Sequence, residues 1–225
     1  MTLHERLAGA ALEMANDPRL PHTLGRAVEM AVETVSPCEL ASVSLRRGKT
    51  LEMLAATDDV LRDVITCQIT LGQGPSLDAL AQGSPVVSGD LGSDPRWPRW
   101  GPVAAETLTM RSVLSLRLIV GSRPQGVMSM YSATRDAFTA EDVVTAQTMA
   151  AHAAIALADA LDREQFNEAL ASRTVIGQAT GIVMERFGLD EDAAFAVLRR
   201  LSQNMNVKIR DLAAELVETR QLPGG

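Results

Sequence analysis

The spacing of apolar positions changes rhythm near Phe138. Before it the pattern is mixed. Leu3–Met14 and Leu24–Val35 repeat apolar residues every three or four positions, which predicts two amphipathic helices. Ala41, Val43 and Leu45 then alternate with Ser42 and Ser44, as in a half-buried strand. The glycine within Arg46–Lys49 predicts a turn into a second strand, Thr50–Ala56. Val60–Cys67 is helical in pattern, followed by the loop Gly72-Gln73-Gly74-Pro75, a short helix through Leu77 and Leu80, and a short strand at Val86–Val87. Asp94-Pro95-Arg96-Trp97-Pro98-Arg99-Trp100 reads as loop, because each proline disfavours helix at the residue before it. Arg111–Val120 and Gly126–Ser132 form a second hairpin around Gly121-Ser122-Arg123-Pro124-Gln125. Short antiparallel strands with helices before, between and after them predict an α+β domain built on one central sheet.

From Phe138 onward the rhythm is helical. Thr139 can cap a helix whose first turn holds Glu141 and Asp142, with Phe138 stapled onto Val143. Nothing stops this helix before Gly188, so it runs for more than ten turns, longer than a globular helix usually sustains without a partner. Val143, Ala146, Ala150, Ala153, Leu157 and Ala160 form a seam suited to helix pairing or to packing on the chain's own sheet. After Gly188, Asp190 caps a helix expected to carry Phe195, Leu198 and Leu201 inward. Ser202–Asn206 is a turn, and a last helix runs from about Val207 to Arg220 before Pro223-Gly224-Gly225. These changes divide the chain into residues 1–160 and a three-helix module, 161–225. A module this small is marginal alone, which favours dimerisation.

Two glycines interrupt the long helix one turn apart, Gly177 and Gly181. Ile176, Ala179, Val183 and Phe187 form its apolar stripe, while Arg173, Gly177, Thr180, Gly181 and Met184 share a second face. A glycine inside a helix costs about 1 kcal/mol relative to alanine, so the pair calls for a reason. Close packing of a partner helix is one; bare backbone presented to a ligand is the other.

Composition narrows the field. The 225 residues suffice for two modest domains, and 46% hydrophobic with 22% charged residues describes an ordinary globular protein. No apolar run approaches the roughly 20 residues of a membrane span. The N-terminus lacks the basic start and continuous apolar core of a signal peptide, so a cytoplasmic location is expected. Cys38 and Cys67 have no metal-type spacing and read as reduced thiols. His4, His22 and His152 are scattered, and no Ser-His-Asp set, metal spacing, phosphate loop or cofactor motif is present, so no enzyme is expected. The net charge is −7, with 13 basic and 19 acidic residues in 1–162 against 8 and 9 in 163–225. The C-terminal part therefore lacks the strong basic footprint of many nucleic-acid domains. A local cluster does exist: Arg199, Arg200, Lys208 and Arg210 flank one inter-helix turn, with Arg173 and Arg186 as further candidates, and a solvated helix end is the competing reading.

The run from Arg173 to Met184, the run from Asp192 to Arg199, and Ser202, Asn206, Lys208, Ile209, Arg210, Asp211 and Ala213 together resemble the ANTAR domain throughout its length. Residues 20–160 resemble a GAF domain of the type coupled to ANTAR, on Gly72-Gln73-Gly74-Pro75, Asp94-Pro95-Arg96-Trp97-Pro98, Ala137-Phe138-Thr139 and the helix at Ala150–Ala154. The resemblance implies a GAF/PAS-like antiparallel sheet flanked by helices, a long connecting helix and a three-helix ANTAR module. It also implies an RNA-binding antitermination regulator, a homodimer that holds paired stem-loops in nascent RNA and prevents a terminator hairpin. A small-molecule or protein signal would act at the GAF-like domain. By the same resemblance Arg173, Gln178 and Thr180 donate hydrogen bonds to RNA, and Gly181 and Met184 lie at that surface. Ser202, Asn206, Lys208 and Arg210 line it, and Gly177 serves helix packing. The chain departs from the family pattern at Thr180, where many members have lysine, and at Ser76, where related loops have cysteine. A module whose C-terminal helices bind a protein partner is the alternative that the near-neutral charge suits.

Overall fold

The computed structural model describes residues 20–121 and 123–221; the expected helix Leu3–Met14, Ser122 and the terminal Pro223-Gly224-Gly225 lie outside the described residues. The chain forms two compact units, Met1–Ala160 and Leu161–Gly225.

In the first unit the alternating stretches become five antiparallel strands, β1 (Leu40–Arg47), β2 (Thr50–Ala56), β3 (Val86–Ser88), β4 (Ser112–Val120) and β5 (Arg123–Ser132), in the order β2-β1-β5-β4-β3. Gly48 turns β1 into β2 at φ 63°, a value glycine adopts without strain. Among the described residues four helices surround the sheet, α1 (Leu20–Thr34), α2 (Val60–Leu71), α3 (Pro75–Gln82) and α4 (Trp100–Leu108), and α5 (Ala140–Phe187) begins in this unit. The register pairs Val43 with Met128 and Met128 with Leu116, so the apolar residues of β1, β4 and β5 share one face. Leu157 of α5 rests on that face at Gly126, where an added Cβ would stand 3.1 Å from Leu157 Cδ2 and 2.7 Å from the Ser44 carbonyl. Met149 of α5 packs with Met30 of α1.

The expected helix-pairing seam is therefore used within the chain. Ala146, Ala150, Ala153 and Leu157 are buried, with Leu157 on the chain's own sheet, while Val144 and Ile155 on other faces of α5 are exposed. The helix starts as expected, with a reciprocal cap: Thr139 N–H donates to the Asp142 carboxylate at 2.8 Å and Asp142 N–H to Thr139 Oγ1 at 3.2 Å.

The opposite sheet face carries a core of Val113, Val127 and Tyr131 against Val64, Ile65, Ala79 and α4. Trp97 and Trp100 meet edge to face at 5.6 Å. Trp97 Nε1 donates to the Asp78 carboxylate at 2.9 Å and Trp100 Nε1 to the Val64 carbonyl at 3.1 Å, so both large rings are buried with their polar atoms satisfied. The proline-bearing segment is thus a clamp on the core, and α4, which follows it, was not marked by the apolar rhythm. Ser76, at the expected cysteine position, is buried in a polar network. Its N–H donates to Gln68 Oε1 at 3.0 Å, and its hydroxyl lies 3.2 Å from Ser129 Oγ, which in turn meets Ser115 Oγ at 2.7 Å.

In the second unit α5 ends at Gly188, whose φ of 62° lets Leu189 N–H close back on the Met184 carbonyl at 3.2 Å. α6 (Glu191–Met205) starts at Asp190, whose carboxylate accepts from Ala193 N–H at 2.8 Å, and α7 (Ile209–Thr219) follows. Ala179, Val183, Ala194, Leu198, Leu212, Ala213 and Leu216 form the core. Two expected core aromatics are not in it: Phe187 is 52% exposed and Phe195 40%. The buried stripe of α6 passes through Ala194 and Leu198, and Phe195 stands one residue off that stripe.

Candidate nucleic-acid interface

The three helices sort the expected RNA-facing residues by face. Thr180 and Met184 turn toward the core. Thr180 is buried and its hydroxyl donates to the Ile176 carbonyl at 2.8 Å, so it offers no donor at the surface; Met184 packs half-buried against the core. Both lie within a turn of Ala179 and Val183, which is why the inward side of the helix takes them. Gly177 and Gly181 face outward, and a Cβ added at either would meet nothing within 4 Å. The expected packing role of Gly177 has no counterpart within the described chain. Gln178 and Gly181 line a shallow cleft of about 540 Å³ with Ile182, Glu185, Arg186, Val217 and Arg220. At its end Arg186 donates to the Arg220 carbonyl at 2.7 Å, satisfying a terminal group of α7.

Ser202 and Asn206 shape the turn between α6 and α7. Asn206 adopts φ 53°, a left-handed conformation that asparagine tolerates, and ends α6 with its N–H 3.3 Å from the Gln203 carbonyl. The Ser202 hydroxyl donates to the Val207 carbonyl at 2.6 Å. Lys208 opens α7, its carbonyl accepting from Asp211 and Leu212 N–H at 2.9 and 3.1 Å while its side chain stays exposed. Arg210 is exposed and bonded to Asp211 at 3.1 Å.

One end of the unit therefore gathers most of the cations. α6 holds 15 residues after the Gly188 turn, and Arg173 stands 15 residues before it on α5, so both stretches span about 22 Å from that turn. α6 folds back, because Ala194 and Leu198 share a core with Ala179 and Val183. Arg173 thus lies toward the same end of the unit as Arg199, Arg200, Lys208 and Arg210. Among the described residues no acid pairs with Arg173, Arg199, Arg200 or Lys208, and all four are exposed. The acids Glu185, Asp190, Glu191 and Asp192 cluster around the opposite turn. A near-neutral total charge conceals a polarised module. Sequence reasoning missed the exposed Phe187 and Phe195; the one-residue offset of Phe195 from the Ala194–Leu198 stripe was the available signal.

The first unit shows different chemistry. The Arg96 guanidinium bonds Asp94 at 2.6 Å and stacks 4.4 Å from the Trp97 ring centroid. Its hydrogen bonds hold the Asp94 carboxyl down at about 2. Burial pushes the Cys38 thiol up to about 12, which keeps it protonated and poorly nucleophilic. Among the described residues no group of His, Cys, Asp and Glu is placed to hold a metal ion, and no helix is long and apolar enough to cross a membrane.

Comparison with known proteins follows these two units. The GAF domain family matches residues 19–158 and the ANTAR domain family residues 164–217. A search among curated proteins returned no match. Among solved structures, the GAF domain of a phosphoenolpyruvate-protein phosphotransferase from Coxiella burnetii is 16% identical, aligned over 72% of this chain and 96% of that one at a TM-score of 0.59. The corresponding domain from Acinetobacter is 13% identical over 73% and 99% of the two chains, at 0.58. The free methionine-R-sulfoxide reductase of Neisseria meningitidis, solved with its substrate, is 16% identical over 72% and 91%, at 0.56. At such identities these likenesses show the fold alone. The chain belongs to the GAF domain family and carries an ANTAR domain directly after its GAF domain.

Proposed function

We propose that this protein is an RNA-binding antitermination regulator in which a signal received by the GAF domain controls the binding of paired stem-loops by the ANTAR domain. The observation that carries the reading is the set of exposed, unpaired cations, Arg173, Arg199, Arg200 and Lys208, toward one end of the ANTAR unit. Phosphate contacts from such groups supply affinity, and unpaired loop bases supply specificity. Gln178 and Gly181 extend the surface along α5, where bare backbone permits close approach. Ser202 and Asn206 act through the turn they shape, which fixes the directions of Lys208 and Arg210. Two RNA loops suit two copies of the module, so the acting species is a homodimer.

Gel-shift titration with an RNA carrying two stem-loops tests this. Arg173→Ala and Gly181→Leu should each weaken binding by about tenfold, the scale of one lost charge-assisted contact, with helix content unchanged by circular dichroism. Unchanged affinity in both variants would favour a protein partner, for which the exposed Phe187 and Phe195 are the anchors.

A further inference from the structure

The sheet has an open edge. β3 pairs only with Val113–Ser115, so β4 from Leu116 onward lacks a neighbour on that side among the described residues. Beside this edge runs a groove of about 530 Å³, walled by Leu116 and Ile119 of β4 and by Ala150, Ala151, Ala154 and Ile155 of α5. The volume falls in the range of small-molecule sites. Ile119 and Ile155 are 48% and 62% exposed, so the groove keeps an apolar rim open to solvent.

One charged residue lines it, Arg117. Its guanidinium lies against Gly83, in the space a side chain would occupy: a Cβ there would stand 2.8 Å from Nη1. The Arg117 Nε is buried without a hydrogen-bond partner. No described acid or carbonyl pairs with this guanidinium. A partly buried, unpaired guanidinium is an unfavourable arrangement that an anion relieves, and its planar fork matches two carboxylate oxygens.

We propose that this groove binds a small amphiphilic monocarboxylate, its head on Arg117 where the guanidinium meets Gly83 at the open edge and its apolar body along the alanines of α5. The other lining residues are uncharged, so a single negative charge is matched and a phosphate dianion is not. The proposal deepens the sensing half of the function above, since it names the ligand class for the GAF domain, and it rests on residues of the first unit alone.

The test uses the full chain with 1-anilinonaphthalene-8-sulfonate as fluorescent probe and octanoate or octanol as competitors. Octanoate should displace the probe at about tenfold lower concentration than octanol. Arg117→Met, which keeps an apolar stem, should abolish that difference, and Ala154→Phe, which fills the groove, should weaken both competitors. Equal displacement by octanoate and octanol, or an unchanged difference in Arg117→Met, overturns the proposal. So does an Ala154→Phe variant that changes oligomeric state by sedimentation while probe binding is unaffected, because a second copy then covers the groove. The gel shift without probe is read separately: its failure removes the RNA reading and leaves the groove's result standing.

Discussion

At the scale of single residues, Gly177 and Gly181 give the sharpest expectation. Both sit in helical backbone with open space where a side chain would go. Gly177→Ala and Gly181→Ala should therefore each raise stability by about 0.5–1 kcal/mol through helix propensity, measured by thermal or urea unfolding. A glycine placed where alanine would fit and stabilise the helix points to something outside the fold needing bare backbone. Unchanged or reduced stability would show that the glycines serve packing. The Asp94–Arg96 pair makes a pH prediction. The Asp94 carboxyl lies at about 2 in the folded chain, below its ordinary 3.8. The pair's contribution is therefore complete above about pH 4 and is lost as pH falls through 2. Arg96→Met should cost about 1 kcal/mol more at pH 7 than at pH 2, discounted for the half-exposed guanidinium; an equal cost at both would assign the loss to the pH-independent contacts of Arg96 with Trp97 and the Val87 carbonyl. Residue roles were only partly legible in the sequence. Asp190 and Thr139 declared themselves because a cap is a local signal. Thr180 and Met184 did not, because a face inferred from 3.6-residue periodicity is too broad to say which of its margins turns to the core.

At the scale of elements, alternation and glycine placement marked both hairpins, and the absence of a stop signal marked α5 through to Gly188. The apolar rhythm did not mark α4, whose Trp100, Ala104, Ala105 and Leu108 follow a run of prolines that reads as loop. Periodicity also could not say what the alanine seam of α5 faces, since a sheet and a partner helix demand the same spacing. With that seam on the sheet, a homodimer needs another surface. Phe166 and Leu170 are 64% and 49% exposed on α5 and share its side with Gly177 and Gly181. We expect the double variant Phe166→Ser/Leu170→Ser to weaken self-association at least about tenfold in sedimentation equilibrium, as loss of two apolar anchors implies. An unchanged dimer constant would place the contact elsewhere.

At the scale of the whole molecule, the net charge of −7 argues against nucleic acid until it is resolved in space. Arg199 and Arg200 on α6, Lys208 and Arg210 on α7, and Arg173 on α5 stand toward one end of their unit, and the acids around Gly188 stand toward the other. Sequence order showed the four around the turn as neighbours. Bringing Arg173 to them required the fold-back of α6. Whether these cations contact RNA phosphates, as proposed, is tested most directly by the salt dependence of binding. For the native chain and a two-stem-loop RNA, log affinity should fall linearly with log salt. Arg199→Ala/Arg200→Ala/Lys208→Ala should lower affinity at least about tenfold near 0.1 M salt and flatten the slope by about 2, the signature of lost phosphate contacts. An unchanged slope in the triple variant, or no binding by the native chain at low salt, would contradict the account.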